Sequence, residues 1–196
     1  NITSTGIDAI VFYVDNSENN ILSIIGNIKT SGNFSDGIRL NSGGSKTTIT
    51  LKGNIATEGL NAHALYLNSS SSNTINLIGN LSTLGNTAHG IGFDTFTGSD
   101  SNNITITGDI NTAGSNARGF DLRSSDSNTI LMTGNITTTN IEQADGIYLS
   151  GSDNNTITIN GNIVTSNSSS SSHSILLNND SDNNTFNLSG LIQSKE

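Results

Sequence analysis

The sequence predicts an all-β chain wound into a right-handed, single-stranded parallel β-helix, with three short strands per coil and about seven coils of 26–29 residues. Three observations carry that prediction. First, a Gly-Asn/Asp-Ile/Leu marker recurs at Gly26, Gly53, Gly79, Gly108, Gly134 and Gly161, with a degenerate Gly-Leu-Ile at Gly190; a fixed period of this size marks stacked repeats. Second, every unit carries three patches in which apolar and polar residues alternate, the signature of a half-buried strand. Third, length varies only between the patches, because a slip of one residue inside a strand would turn its buried side chains outward.

The elements of a coil follow in order. The first patch is the marker itself, Gly-Asn-Ile-x-Thr, which points Ile28, Ile55, Leu81, Ile110, Ile136 and Ile163 inward. The second is a small residue and then apolar-x-apolar: Ile10/Phe12, Ile38/Leu40, Leu65/Leu67, Ile91/Phe93, Phe120/Leu122, Ile147/Leu149 and Ile175/Leu177. The third is Thr/Asn-apolar-x-apolar, from Leu22/Ile24 through Ile75/Leu77 to Phe186/Leu188. Three inward ladders call for three sheets; a two-sheeted solenoid leaves one ladder unexplained. A thin core of this kind needs few apolar residues per coil, so a hydrophobic content of 32% is compatible with order. The absence of proline suits strands that must donate to both neighbours.

The repeat runs through residues 1–196 without a linker, as one domain, and its truncated first and last units read as a segment of a longer chain. There is no cysteine, hence no disulfide or thiol chemistry, and no run of 18 apolar residues that would insert this segment into a membrane. A net charge of −9 without a basic stripe excludes nucleic acid as a natural partner. Asn73, Asn128, Asn155 and Asn184, just before third-patch strands, are placed to form amide ladders along the axis, as are the marker residues Asn27, Asn54, Asn80, Asn135 and Asn162. Asp100, Asp126, Asp153, Asp180 and Asp182 read as solvated turn acids. Asp180 and Asp182 are the weak alternative for a calcium site, and the Gly-Gly-x-Gly-x-Asp pattern of calcium-binding solenoids is absent.

Chemical variety is confined to the second patch. Aligned on the repeat, the residue before the small one is Asp8, Asp36, His63, His89, Arg118, Asp145 and His173. The outward residue is Val11, Arg39, Tyr66, Gly92, Asp121, Tyr148 and Leu176, followed by Tyr13, Asn41, Asn68, Asp94, Arg123, Ser150 and Asn178. Every His, Arg and Tyr of the chain falls on this face. Tyr and Arg dominate recognition surfaces, so Arg39, His63, Tyr66, His89, Asp94, Arg118, Asp121, Arg123, Asp145 and Tyr148 are the candidate binding residues. The competing reading is a solvated face on which charges such as Arg118 and Asp145 pair weakly. A catalytic reading would rest on Asp94 and Asp121 in neighbouring coils, a carboxylate pair of the kind glycosidases use. Against it, the chain has no Asp-Asp pair or Arg-x-Lys element of β-helical polysaccharide enzymes, and its loops are too short to wall a deep cleft. An ice-binding reading would rest on outward pairs such as Thr48/Thr50 and Thr156/Thr158. Ile21/Ser23 and Thr129/Leu131 interrupt that lattice, and β-propensity explains the threonines more simply.

The string Gly-Asn-Ile-x-Thr, Ala-x-Gly-Ile-x-Leu, Ser-x-x-Asn-Thr-Ile-x-Ile resembles repeats in the passenger domains of bacterial autotransporters and related adhesins. The resemblance covers all 196 residues as a repeat type. It implies export to the bacterial cell surface or beyond, and a non-catalytic stalk or adhesin segment without a cofactor. Its varied face would contact a glycan, a host protein or a second copy, and its open ends could stack into filaments.

Overall fold

In a computed structural model, residues 1–93, 98–140, 142–167 and 171–195 are described. Every regular element among them is a strand. First patches form an eight-stranded sheet, and second and third patches a seven-stranded sheet each. Residues Ile55–Thr57, Leu65–Asn68 and Thr74–Ile78 make a representative coil. Each strand pairs in parallel with its counterpart one coil earlier, Ile55 opposite Ile28, Leu65 opposite Ile38 and Ile75 opposite Ile49. The chain is thus a three-sheeted parallel β-helix of about seven coils, and the patch periodicity maps onto its strands.

One register differs from expectation. The first strand of the second sheet spans Phe12–Asp15, with Phe12 opposite Ile38 and Val14 opposite Leu40. The inward pair is therefore Phe12/Val14 rather than Ile10/Phe12, and the outward residue is Tyr13 rather than Val11. The run Ile10-Val11-Phe12 accommodates either register by alternation alone. Distance from the first patch decides it: Phe12 follows Ser4 by the same step that separates Ile38 from Thr30 and Leu65 from Thr57.

The core runs the length of the axis. In the middle coils Ile55, Leu65, Leu67, Ile75 and Leu77 are completely or almost completely buried, and each such side chain stabilises the fold by roughly 1.5–3 kcal/mol. Thr30, Thr57, Thr83, Thr112 and Thr138 share this interior, their hydroxyls donating to the carbonyls of Ser35, Ala62, Ala88, Ala117 and Ala144. The last coil is thinner: Phe186 and Leu188 are only half-buried and Leu177 is exposed.

Between sheets the bends repeat as side-chain ladders. Each marker Asn accepts the backbone N–H of the next marker residue, Asn27 from Asn54 and Asn54 from Asn80. Asn102, Asn128, Asn155 and Asn184 each accept both the backbone and the amide N–H of the ladder residue before them. The amide-ladder expectation holds, with Asn102 added to the column. The turn acids behave differently from expectation. Asp100, Asp126 and Asp153 are half-buried, and their carboxylates accept the backbone N–H of Asp126, Asp153 and Asp182. They are backbone-capping groups rather than solvated charges. The marker glycines allow the coils to approach: Gly79 sits at φ +144°, and a Cβ there would lie 2.1 Å from the Gly53 carbonyl oxygen.

Candidate functional site

The outer side of the second sheet carries two columns of side chains. The first, just before each strand, is Asp36, His63, His89, Arg118, Asp145 and His173. Here a side-chain acceptor takes the backbone N–H of the next coil. Asp36 Oδ1 accepts from His63 at 2.7 Å, His63 Nδ1 from His89 at 2.9 Å, His89 Nδ1 from Arg118 at 3.0 Å and Asp145 Oδ1 from His173 at 2.9 Å. A guanidinium has no acceptor, so the ladder stops at Arg118 and resumes at Asp145. With Nδ1 accepting, both His63 and His89 hold their proton on Nε2.

The second column is the outward residue of each strand: Tyr13, Arg39, Tyr66, Gly92, Asp121, Tyr148 and Leu176. Asp121 is its electrostatic centre and only 2% exposed. Its Oδ1 accepts from Arg123 Nε at 2.8 Å. Its Oδ2 accepts from His89 Nε2 at 2.8 Å, Arg118 Nη1 at 3.0 Å and Arg123 Nη2 at 3.1 Å. Burial pushes this carboxyl up, but His89, Arg123 and Arg118 together outweigh burial and hold it well below the usual carboxylate range. Arg118 also donates from Nε to Asp145 at 3.0 Å, and its Cζ stands over the Tyr148 ring, 3.7 Å from the centroid. Asp145 is in turn 3.1 Å from His173 Nδ1.

Toward the other end, Arg39 pairs with buried Asp36 and reaches over the Tyr66 ring. Burial pushes the Asp36 carboxyl up to about 7, against the opposing pull of Arg39 and the His63 N–H. His63 is stacked between Tyr66, at 4.7 Å, and His89, at 4.9 Å. Burial, then the neighbouring His89, push its imidazole well below the ordinary histidine value; Asp121 opposes the shift while Arg39 and Arg123 reinforce it. His63 is neutral.

These columns surround a cleft of about 500 Å³. Gly92, the one member of the outward column without a side chain, is where the Tyr66 ring and His63 pack down onto the sheet beside the cleft; a Cβ there would stand 3.1 Å from the Tyr66 ring and 3.4 Å from His63 Nδ1. Tyr66, Tyr148 and Arg123 line the cleft, with His63, His89, Arg118 and Asp121. One side comes from the bend before the second sheet, where Asn61, Thr87, Asn116 and Gln143 stand at equivalent positions, all with positive φ. The Thr87 hydroxyl donates to Asn61 Oδ1.

Of the sequence-predicted residues, seven meet around this cleft: His63, Tyr66, His89, Arg118, Asp121, Arg123 and Tyr148. Asp145 lies behind Arg118 at 1% exposure, lining a smaller recess of about 180 Å³ with His173 and Tyr148. Arg39 stands at the far side of Tyr66. Asp94 lies outside the described residues. The solvated-face reading is overturned: His63, His89, Arg118 and Tyr148 are each 8% exposed although they point away from the core. Arg118 and Asp145 accordingly form a buried pair, not a screened surface one. The bend column was missed because its residues read as ordinary turn polar groups. Its sequence signal is position, two residues before each of His63, His89, Arg118 and Asp145, and residue types such as Asn that tolerate the left-handed conformation.

Among the described residues no three acidic or histidine side chains converge on a point that would hold a metal ion, Asp180 and Asp182 included, and no helix is long and apolar enough to cross a membrane. Comparison with protein-family models, curated proteins and solved structures gives no match.

Proposed function

We propose that this chain is a non-catalytic stalk segment of a bacterial surface adhesin, displayed outside the cell, that holds a sugar unit of a glycan in the cleft on its second sheet. The observation that carries the reading is the cleft itself, where two tyrosines, two arginines and two histidines converge beside the amides of the bend. The amides of Asn61, Asn116 and Gln143 suit sugar hydroxyls. A partly enclosed cleft with a few convergent polar groups is the ordinary form of a small-ligand site.

A binding rather than catalytic role is supported by Asp121. Both of its oxygens are occupied by donors from His89, Arg118 and Arg123, so it is engaged as an anchor for cations rather than poised as a base or nucleophile. A glycan array probed with the parent and with Gly92→Val tests the proposal. The parent is expected to retain a defined set of glycans; the valine variant, which must displace the Tyr66 ring and His63, is expected to lose them, with a lowered but still cooperative unfolding transition. Retention by both would place recognition elsewhere and end this reading. A host-protein ligand or self-association would show instead as pull-down or sedimentation unaffected by Gly92→Val.

A further inference from the structure

Resting on that reading, we infer that the cleft selects a terminal acidic sugar, whose carboxylate is received by the His63 Nε2–H and the outer edge of the Arg123 guanidinium. The argument begins with His63. Its Nδ1 is taken by the His89 backbone N–H, so its proton is on Nε2. No acceptor faces that Nε2–H among the described residues, although the side chain is more than nine-tenths buried and lines the cleft. That nitrogen is not among the buried side-chain atoms left without a partner, so it is open to solvent at the cleft, where an incoming acceptor can take the place of water.

The other cleft groups have the same one-sided character. Asp121, the only carboxylate among the cleft-lining residues described, has both oxygens committed to protein donors. Arg123 commits Nε and Nη2 to Asp121, keeps a third of its side chain exposed at the cleft, and has no acceptor for Nη1 among the described residues. It is also near enough to His63 to depress the basicity of that ring. Among the described residues the cleft therefore offers donors and no spare charged acceptor, which fits a ligand that is itself an acceptor. A carboxylate matches a guanidinium edge in both charge and plane.

The carrier of that carboxylate is constrained as well. The chain has a net charge of −9, which opposes a polyanion, but beyond the Debye length of about 8 Å at physiological salt this repulsion is screened. One acidic sugar at the end of an otherwise neutral glycan meets both conditions, with the amides of Asn61 and Asn116 at the cleft for its hydroxyls.

The test is titration of isotopically labelled protein with methyl β-glucuronide, methyl β-glucoside and sodium acetate, following the His63 Nε2–H and Arg123 guanidinium resonances. The glucuronide is expected to shift both resonances and to bind at least tenfold more tightly than either of the others. His63→Asn replaces the ring while leaving an oxygen where Nδ1 stood, in the manner of Asp36 one coil earlier, so the ladder bond survives. That variant and Arg123→Lys are each expected to reduce the preference for the glucuronide by tenfold. Equal binding of glucuronide and glucoside would overturn the acidic-sugar inference while leaving a neutral-sugar site in place. Equal binding of glucuronide and acetate would mean that the cleft reads a bare carboxylate, and would overturn it too. Glycans retained on the array with no shift at His63 or Arg123 would remove the site itself.

Discussion

The outer faces of the second and third sheets are built on the same repeat and differ in nearly every physical respect. On the third sheet the outward columns are Thr and Asn, such as Thr74, Asn103, Thr129 and Thr185, and they stand exposed or half-buried. On the second sheet the outward and pre-strand residues are charged or aromatic, yet Asp121, Asp145, Arg118 and Tyr148 are all under 10% exposed. They are covered by one another: arginine over tyrosine, histidine on histidine, carboxylates under guanidinium groups. The lesson is that pointing outward from a sheet and being exposed are separate properties. A face becomes a second packed layer when its side chains are long and complementary enough to cover themselves.

Substitutions should separate the two faces by size of effect. The largest is expected at Asp121. Asp121→Ala leaves His89 and the partly buried Arg123 without their carboxylate and Arg118 with Asp145 alone, beside a cavity, a loss of about 3–5 kcal/mol, readable as a lower urea midpoint. A loss below about 1 kcal/mol would mean the layer is a solvated face after all.

Next comes the protonation of the layer. His63 has a depressed pKa, so its contribution to stability is complete above the ordinary value of 6.5 and is lost as pH falls below it. Asp36, raised to about 7, contributes in the opposite sense, stabilising at low pH and losing that contribution as pH rises through about 7. Asp36→Asn should therefore lose stability more steeply than the parent between pH 7 and 5.5, by about 1–2 kcal/mol over that interval. Parallel pH profiles would contradict the assignment.

Asn102→Ala, in a buried bend ladder, removes the acceptor for both the backbone and side-chain N–H of Asn73, and should cost about 1–3 kcal/mol by the same urea assay. The smallest effect is expected on the third sheet. Thr158→Ala, on its half-buried outer face, should stay within about 0.5 kcal/mol. A larger loss there would erase the contrast between the two faces.

The fold was legible because a parallel β-helix writes its geometry into spacing: the marker at Gly53, the small residue at Ala64 and the apolar pair Ile75/Leu77 return in every coil. The one misplaced register, at Ile10 to Phe12, is where four consecutive residues from Ala9 are apolar and alternation carries no information. The face that holds the site was equally legible, since His63 and Arg118 share one column and Tyr66 and Tyr148 the next by arithmetic alone. Its character was not. Burial of Asp121 depends on where Arg118, Arg123 and His89 direct their side chains, which no period encodes. Nor does any period show that the Tyr66 ring and His63 pack down over Gly92. The bend column of Asn61, Asn116 and Gln143 became part of the site only through its placement beside these groups.

The most direct test of the contrast between the faces is a map of backbone amide shifts on binding, using the highest-affinity glycan that the array returns. The second sheet is expected to respond at Tyr66, Gly92, Asp121, Arg123 and Tyr148 and at the bend residues Asn61 and Asn116, with Thr105, Thr129 and Thr158 of the third sheet unmoved. Shifts concentrated on the third-sheet threonines, with Gly92 and Asp121 silent, would contradict the account.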